Sequence, residues 1–455
     1  MKKFQFKLDK KSDREIIKLA WPSIIEQILE MMVGMVSTIF MGRIGASAVA
    51  AVGMINMLMG FLQTVFSGLS MGTTVIIARV TGEGNKKEAK RALIQSIYMA
   101  LFVGVILLIF GKMFSNSLLH LFFGKAKRDV LNIGLGYFSI ILFNLPFFVV
   151  DIIVSGAMRG AGDTKTPMFI TGGVNVLNVI LNTMLVFGVQ PLGIPAMGVT
   201  GSAIAVTISR IVAVTIRILV LYNLKGLKLN LNLKDDYRIK IDLMKRIINV
   251  GVPAFLEQAV MQGGFLVLEI IIVTMGTVAM AAYQVGINVN SLAFFPIFGL
   301  AIANTTLVGQ SLGEKNYKKA EKYAYEGLKI AMIVAFIIGI SMCIFARQLA
   351  YLYTNDKNVI DESVGIIRTF GIIEPMLAIL NLCSAALKAA GDINYVMITS
   401  FVGLWSGRVF LSFALNGLFG MGMFAIMIGI FVDFSSRSFM YLGRMNKGKW
   451  KYLKV

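Results

Sequence analysis

The two halves of this chain carry the same segment, displaced by a constant 231 positions between residues 16–89 and 247–320. A single offset held over so long a stretch indicates an internal duplication. The matching landmarks are Trp21-Pro22 with Val252-Pro253, Glu26-Gln27 with Glu257-Gln258, Gly45 with Gly276, Ala50-Ala51 with Ala281-Ala282, Gly82-Glu83 with Gly313-Glu314, Asn85 with Asn316, and Ala89 with Ala320.

The duplication extends beyond this segment after a gap of two residues. Asn144-Leu145-Pro146 matches Ile373-Glu374-Pro375 at an offset of 229, and Gly162-Asp163 matches Gly391-Asp392 at the same offset. Duplicated halves in an apolar chain are typical of membrane transporters, whose substrate site lies at the interface of the two repeats.

Long apolar runs account for most of the chain. Hydrophobic residues make up 57% and charged residues only 15%, whereas about 25% of the residues in a soluble domain are charged. Runs of about 20 residues are long enough to cross a bilayer, where backbone hydrogen bonds favour helices. The predicted spans are 14–40, 48–78, 91–114, 131–158, 166–188, 197–223, 244–273, 279–309, 325–347, 363–389, 395–418 and 421–442.

The sequence therefore predicts an all-α polytopic membrane protein with twelve transmembrane helices in two six-helix lobes related by the internal repeat. The longest polar connection falls between the sixth and seventh spans. We expect an N-terminal lobe at 1–224, an inter-lobe linker at 225–243 and a C-terminal lobe at 244–455.

The formal net charge of +20 is explained by topology. Most Lys and Arg residues fall in the N-terminal tail, the C-terminal tail and alternate loops, a bias that orients both termini to the cytoplasm of a multi-pass plasma-membrane protein. Part of the charge would contact anionic lipid. This distribution argues against a nucleic-acid partner, and the N-terminus lacks the pattern of a cleaved signal peptide.

Signatures of enzymes are absent from the sequence. The sole histidine, His120, lies in a predicted loop, and the two cysteines, Cys343 and Cys383, lie inside apolar helices. No phosphate-binding loop of the Walker type is present. The chain is therefore predicted not to be an enzyme, to carry no cofactor and to draw energy from an ion gradient; no metal site is assigned.

Ionisable side chains at membrane depth are costly and usually functional. Glu26, Glu30 and Ser37 share one face of the first helix. Two carboxylates one turn apart repel each other, so the pair should take up a proton readily, as a proton-coupled carrier requires. The alternative is that Glu26 lies near the interface and is hydrated or caps a helix. The other cation-coupling candidates are Glu257, Glu269, Glu374 and Asp151.

Uncharged polar and flexible residues are the candidates for a substrate cavity. Asn175, Asn178 and Asn182 form a stripe at helical spacing, although such a stripe also serves as interhelical glue. Met-rich walls adapt to varied apolar ligands. The remaining candidates are Gln27, Ser37, Gln258, Met261 and Arg408. Arg210 and Arg408 are also expected to form salt bridges within the bundle, and Asp433 is expected to pair with Arg437.

Three stretches of this sequence resemble the multidrug and toxic compound extrusion (MATE) family over essentially the whole chain. They are Ala20-Trp-Pro22-Ser-Ile-Ile-Glu26-Gln27 with Gly42-Arg-Ile-Gly45, Met158-Arg159-Gly160-Ala-Gly162-Asp163-Thr164-Lys165-Thr-Pro167, and Gly448-Lys449-Trp450. The resemblance implies two six-helix lobes around a central cavity. It also implies export of cationic amphiphilic compounds against inflow of Na⁺ or H⁺.

The departures from the family pattern concern carboxylates. Many members carry an aspartate at the position of Ser37 in this chain. Some proton-coupled members carry an aspartate at the position of Asn182, and another branch carries a glutamate at the position of Met261. We therefore expect Glu26 and Glu30 to replace them in the first lobe, with Glu257 or Glu374 in the second.

The favoured function is a monomeric secondary antiporter that exports organic cations, drugs or metabolites, by alternating access. A lipid-linked oligosaccharide flippase of the same superfamily is the first alternative, because Arg408 could contact pyrophosphate. A polytopic membrane enzyme is the second, and it lacks clustered catalytic residues. A major-facilitator carrier is the third, and its basic loop between the second and third helices is missing.

Overall fold

The computed structural model describes residues 10–124, 126–189, 191, 193–223, 229–232 and 234–453. The first half contains α1 Lys10–Gly42, α2 Ala46–Gly82, α3 Lys86–Phe123, α4 Arg128–Ile141, α5 Leu145–Gly160, α6 Lys165–Phe187 and α7 Gly198–Asn223. The second half contains α8 Ile241–Val273, α9 Thr277–Gly313, α10 Tyr317–Ile344, the short α11 Ala346–Tyr351, α12 Lys357–Ala389, α13 Ile393–Val402, α14 Leu411–Phe419 and α15 Met423–Asn446.

Twelve helical stretches among the described residues are long and apolar enough to cross a membrane. A single 3₁₀ turn joins α4 to α5 into one stretch, and a π-helix, Gly403–Phe410, joins α13 to α14 into another. Each of the twelve predicted spans coincides with one stretch. The prediction of an all-α polytopic membrane protein with twelve spans is confirmed.

The starts of α3 and α10 show how the repeat encodes local structure. The Asn85 side chain accepts a hydrogen bond from the Glu88 backbone N–H at 3.1 Å, and its repeat counterpart Asn316 accepts one from Lys319 at 3.0 Å. Such caps contribute about 1 kcal/mol. The cap begins α10 at Tyr317, earlier than the predicted 325, because its first turns are too charged to be recognised as an apolar run.

The chain forms two compact units. The first, called the N-lobe, is Ile25–Gly251, and the second, called the C-lobe, is Val252–Val455 together with the residues through Ile24. The start of α1, up to Ile24, therefore belongs to the C-lobe, and the start of α8, up to Gly251, belongs to the N-lobe. The linker predicted at 225–243 ends in the first turn of α8, and its residues 225–228 and 233 lie outside the described part of the chain.

These two helix starts pack through small residues at repeat-related positions. In the C-lobe, Ile16 and Ala20 of α1 join the apolar core, and Gly299 of α9 lies against Ala20. In the N-lobe, a Cβ on Gly72 of α2 would lie 2.7 Å from the backbone nitrogen of Gly251 in α8. Ala20 and Gly251 are repeat counterparts at the offset of 231, and each is approached by a glycine of the following helix, although the two glycines differ in position by one helical turn.

The segment that follows the last long helix of each lobe folds back onto the start of that lobe's third span. In the N-lobe, residues 234–240 form what we call the N-strap. Lys90 Nζ lies 3.2 Å from Asp235 Oδ2, and Arg91 Nη2 lies 2.6 Å from Asp236 Oδ2. Gln95 of α3 also bonds to the strap backbone at Arg238 and Lys240, both at 3.0 Å.

The C-lobe has an equivalent C-strap, residues 446–453. Lys451 Nζ lies 2.7 Å from Glu321 Oε2, Tyr325 donates to Asn446 Oδ1 at 2.9 Å, and Trp450 is buried. Glu321 is the repeat counterpart of Lys90. The two straps therefore dock on equivalent positions with the signs of the charges exchanged.

Candidate functional site

A buried ion pair links the first and fourth spans of the N-lobe. Glu26 is fully buried; its Oε1 accepts a hydrogen bond from Ser155 at 2.6 Å, and its Oε2 lies 3.0 Å from Arg159 Nη1. Arg159 lies in the last turn of α5, at the start of the Arg-Gly-Ala-Gly-Asp-Thr stretch. The positive partner neutralises Glu26 in place, so this carboxylate is held by the scaffold.

The C-lobe contains the counterpart of this pair. Glu257 Oε2 lies 2.7 Å from Lys388 Nζ, and Oε1 accepts from Ser400 at 3.3 Å. Glu257 corresponds to Glu26 at the offset of 231, and Lys388 corresponds to Arg159 at the offset of 229. The sequence analysis did not single out either cation, although aligning the two repeats shows that Arg159 and Lys388 occupy equivalent positions.

A polar cavity lies inside the N-lobe, one turn further along α1. Its volume is about 40 Å³, enough for a few water molecules. Glu30 lines it and accepts a hydrogen bond from Gln63 Nε2 at 3.1 Å. Of the other predicted site residues, Asp151, Asn175 and Asn178 line it as well. Gln63 was not predicted as a site residue.

Two arginines on α7 hold Asp151 at the edge of this cavity. Arg210 Nη1 lies 2.6 Å from Oδ2, and Arg217 Nε lies 3.0 Å from Oδ1. Arg217 also donates to Thr171 at 3.0 Å. The expected salt bridge of Arg210 is confirmed, whereas Arg217 was missed because it lies two helical turns beyond Arg210, near the end of the span. Asp151 thus has two cationic partners, whereas Glu30 forms no ion pair among the described residues.

The amide N–H groups of the asparagine stripe on α6 donate to neighbouring polar groups, whereas the Oδ1 atoms of Asn175 and Asn182 are buried and have no partner among the described residues. Asn182 donates to Asn178 Oδ1 at 3.1 Å, and Asn178 donates to Ser209 at 3.3 Å. Asn175 donates to the Leu29 carbonyl at 2.6 Å, which ties α6 to α1 beside Glu30. Asn175 and Asn178 therefore line the cavity and join helices at the same time, while Asn182 lies outside the lining.

The C-lobe carries a cluster of one aspartate and two arginines. Asp433 accepts two hydrogen bonds from Arg437 in a bidentate ion pair, from Nε to Oδ1 at 2.6 Å and from Nη2 to Oδ2 at 2.7 Å. Arg408 Nη2 lies 2.9 Å from Asp433 Oδ2. The expected pairing of Asp433 with Arg437 and the salt bridge of Arg408 are confirmed. Met261 of α8 lies against this cluster, with its sulfur 3.4 Å from Arg437 Nη1.

The remaining predicted residues lie apart from these clusters. Glu374 is 1% exposed, and among the described residues neither of its carboxyl oxygens has a hydrogen-bond partner. Glu269, Gln27 and Gln258 are half-buried, and Ser37 is buried on α1. Among the described residues, no group of three or more His, Cys, Asp or Glu side chains could hold a metal ion.

The family profile described as MatE matches this chain twice, over residues 22–184 and 253–414. The chain belongs to the MATE family. The two matches begin 231 residues apart, so the family unit is the repeat itself. The prediction that the chain is not an enzyme is confirmed, because its relatives and structural neighbours are transporters.

Individual relatives cover nearly the whole chain. "Probable multidrug resistance protein NorM" of Thermotoga maritima is 33% identical over 438 residues, 96% of this chain and 93% of that protein. "Uncharacterized transporter YisQ" of Bacillus subtilis is 27% identical and covers 99% of both chains. The crystal structure of a MATE protein in a bent conformation superposes with a TM-score of 0.88 at 24% identity, covering 97% of this chain and 96% of that one.

Proposed function

We propose that this MATE-family protein exports organic cations from the cell in exchange for protons that bind at Glu30. The names of the relatives support multidrug export as the activity. None of these names favours the flippase alternative. We further propose that the chain works as a monomer in the plasma membrane, contacts membrane lipid and has both termini in the cytoplasm, as the distribution of Lys and Arg favours.

The observation that carries the proposal is the contrast between Glu30 and the other N-lobe acids. Glu26 pairs with Arg159, and Asp151 pairs with two arginines, whereas the hydrogen-bond partner of Glu30 is the neutral amide of Gln63. A partly buried carboxylate that forms no direct ion pair is less stabilised in its charged form than a paired one, which favours binding a proton. Glu30 also lines the polar cavity of about 40 Å³.

Proton coupling is favoured over Na⁺ coupling by the composition of the cavity. A proton needs one carboxyl oxygen, whereas a metal cation needs a shell of oxygen ligands. Arg210 and Arg217 line the same cavity of about 40 Å³, and their charges oppose a metal ion beside Asp151. Binding a proton would shift the equilibrium between states open to either side of the membrane by its differential affinity for those states.

The test is efflux of ethidium from proteoliposomes, driven separately by a pH gradient and by a Na⁺ gradient. We expect efflux with the pH gradient alone, and we expect Glu30→Gln to lower its rate at least about tenfold, a loss of about 1.4 kcal/mol of coupling. Glu83→Gln removes an exposed loop carboxylate as the matched control. Undiminished proton-driven efflux in Glu30→Gln, or efflux driven by Na⁺ alone, would refute the coupling site.

A further inference from the structure

The C-lobe cluster around Asp433 holds one negative charge and two positive charges. Asp433, Arg437 and Arg408 are 0%, 1% and 3% exposed. Among the described residues, the acid that forms an ion pair with Arg408 or Arg437 is Asp433. With all three groups ionised, the cluster carries a net charge of +1. An uncompensated charge in so buried a place is costly and attracts a counter-charge.

The N-lobe shows how the repeat solves the same problem elsewhere. Asp151 also forms ion pairs with two arginines, but Glu30 lines the same cavity, and the four charges sum to zero when Glu30 is ionised. The repeat counterpart of Glu30 is Met261. Met261 lies against Arg437, where its thioether is a weak acceptor without charge. The C-lobe therefore lacks its compensating carboxylate at the equivalent position.

Unused donors mark where the missing negative group would bind. The Nε atom of Arg408 is buried and has no acceptor among the described residues, and its Nη2, although close to Asp433, is out of hydrogen-bond geometry. The indole Nε1 of Trp405 is also buried without an acceptor in the described part of the chain. Both residues lie in the π-helix Gly403–Phe410, a conformation frequent at functional sites.

Aromatic rings on two helices fix the orientation of the Arg408 guanidinium. It lies 4.5 Å from the ring centre of Phe434 and 5.2 Å from that of Phe265. The rings stabilise the cation but accept no hydrogen bond in the guanidinium plane. The free N–H groups thus stay available to an anion, for which a guanidinium is a strong donor.

We propose that Arg408 and Arg437, beside Met261, bind a single small anionic group: a chloride ion or the carboxylate of a zwitterionic cargo. The cargo carboxylate rests on the proposed export function, whereas chloride binding does not. In this arrangement the N-lobe binds the coupling cation and the C-lobe binds an anion. The difference arises because the same repeat position holds Glu30 in the N-lobe and Met261 in the C-lobe.

The first arm measures binding of radiolabelled chloride to the purified protein in lipid nanodiscs, with gluconate as the inert anion. Arg408→Gln removes the excess charge by deleting a cation, and Met261→Glu removes it by supplying the acid found in the N-lobe. We expect wild-type protein to bind chloride and each variant to bind it at least about tenfold more weakly. Arg347→Gln, the same substitution at an exposed site of the same lobe, should bind like wild type.

The second arm compares export of a rhodamine that bears a free benzoate with export of its methyl ester. If the cargo carboxylate occupies the site, Met261→Glu loses export of the acid and keeps export of the ester, and the acid competes with chloride. If chloride binds as expected and both dyes are exported alike by every protein, the inorganic anion is the ligand. Either result supports the site.

Chloride binding that survives both Arg408→Gln and Met261→Glu overturns the proposal. So does a wild-type protein that binds no chloride and exports acid and ester alike. Arg408→Gln removes an ion-pair partner of Asp433 and can lower the yield of folded protein. Met261→Glu instead adds a partner for Arg437, so it tests the site even if Arg408→Gln folds poorly. Absence of all efflux with intact chloride binding would contradict the proposed export function and leave this site standing.

Discussion

Glu26 and Arg159 form a buried ion pair, 3.0 Å from Oε2 to Nη1, that the second repeat rebuilds with Glu257 and Lys388 at 2.7 Å. The exchange of arginine for lysine keeps the charge and changes the geometry, since lysine offers no planar fork. A contact kept in both lobes belongs to the common scaffold. Glu30, whose repeat counterpart is Met261, is not part of this shared scaffold, which is consistent with its proposed role in coupling.

Removing one member of this pair should destabilise the N-lobe. In Glu26→Gln, the largely buried Arg159 guanidinium loses this counter-charge; breaking a fully buried pair costs about 3–5 kcal/mol, so we expect a cost below that range. We expect the midpoint of unfolding, followed by circular dichroism in detergent, to fall clearly below that of wild type. The charge-exchanged double variant Glu26→Arg with Arg159→Glu should recover part of the loss. Wild-type stability in Glu26→Gln would show that the pair contributes nothing.

Close backbone approach at Gly72 gives a second test, independent of charge. A Cβ at this position would lie 2.6 Å from the Ile247 carbonyl oxygen, a backbone atom that cannot rotate away. Gly72→Ala must therefore separate α2 from the start of α8, with a cost of about 1–3 kcal/mol. Gly53→Ala, on the same helix, places its methyl group in open space and serves as the control. Equal unfolding midpoints for the two variants would contradict this account.

The fold was largely accessible from the sequence, and the site was accessible only in part. The length of the apolar runs predicts the twelve spans, since each must satisfy its backbone within the membrane. The acids at membrane depth were recognisable from the sequence as energetically costly residues, and the structure places Glu30 and Asp151 on the same cavity. Their partners were not visible, because Arg217 and Gln63 reach Asp151 and Glu30 from other helices.

The repeat contained more information than the apolar pattern did. Aligning the halves at offsets of 231 and 229 places Arg159 and Lys388 at equivalent positions, which predicts that whatever binds one binds the other. The sign reversal between Lys90 and Glu321 was equally present in the sequence. The sequence did not show which residues pair with Lys90 and Glu321. Their partners in the straps, Asp235 and Lys451, are not related by either repeat offset, so only the structure identifies them.

The opposite charges of the two straps should make each specific for its own lobe. Lys90→Glu places a carboxylate against Asp235 and should release the N-strap, while adding Asp235→Lys should restore docking with reversed polarity. The pair is only partly buried, so the coupling energy should be about 0.5–1 kcal/mol. A double-mutant cycle on the rate of proteolysis within residues 234–240 measures it. Failure of the double variant to recover protection would show that charge does not select the strap.

Acid should loosen the N-strap through Asp236. The backbone N–H of Arg238 donates to this carboxylate at 3.2 Å, and Arg91 pairs with it at 2.6 Å; together they hold the pKa of Asp236 below its usual value. A carboxyl group whose pKa is lower in the folded than in the unfolded state stabilises the fold at pH values above the unfolded value, about 3.9. That contribution is lost as the pH falls through the folded value.

We therefore expect proteolysis of the N-strap by an acid-stable protease to accelerate as the pH is lowered below about 4. Asp236→Asn removes the titrating group while keeping an acceptor for the Arg238 N–H, so the strap of this variant should be cleaved faster than wild type at neutral pH and should lose this part of the acid dependence. Other carboxylates titrate in the same range, which is why the comparison is the difference between the two proteins at each pH. Parallel profiles for wild type and Asp236→Asn would mean that another group, such as Asp235, controls release of the strap.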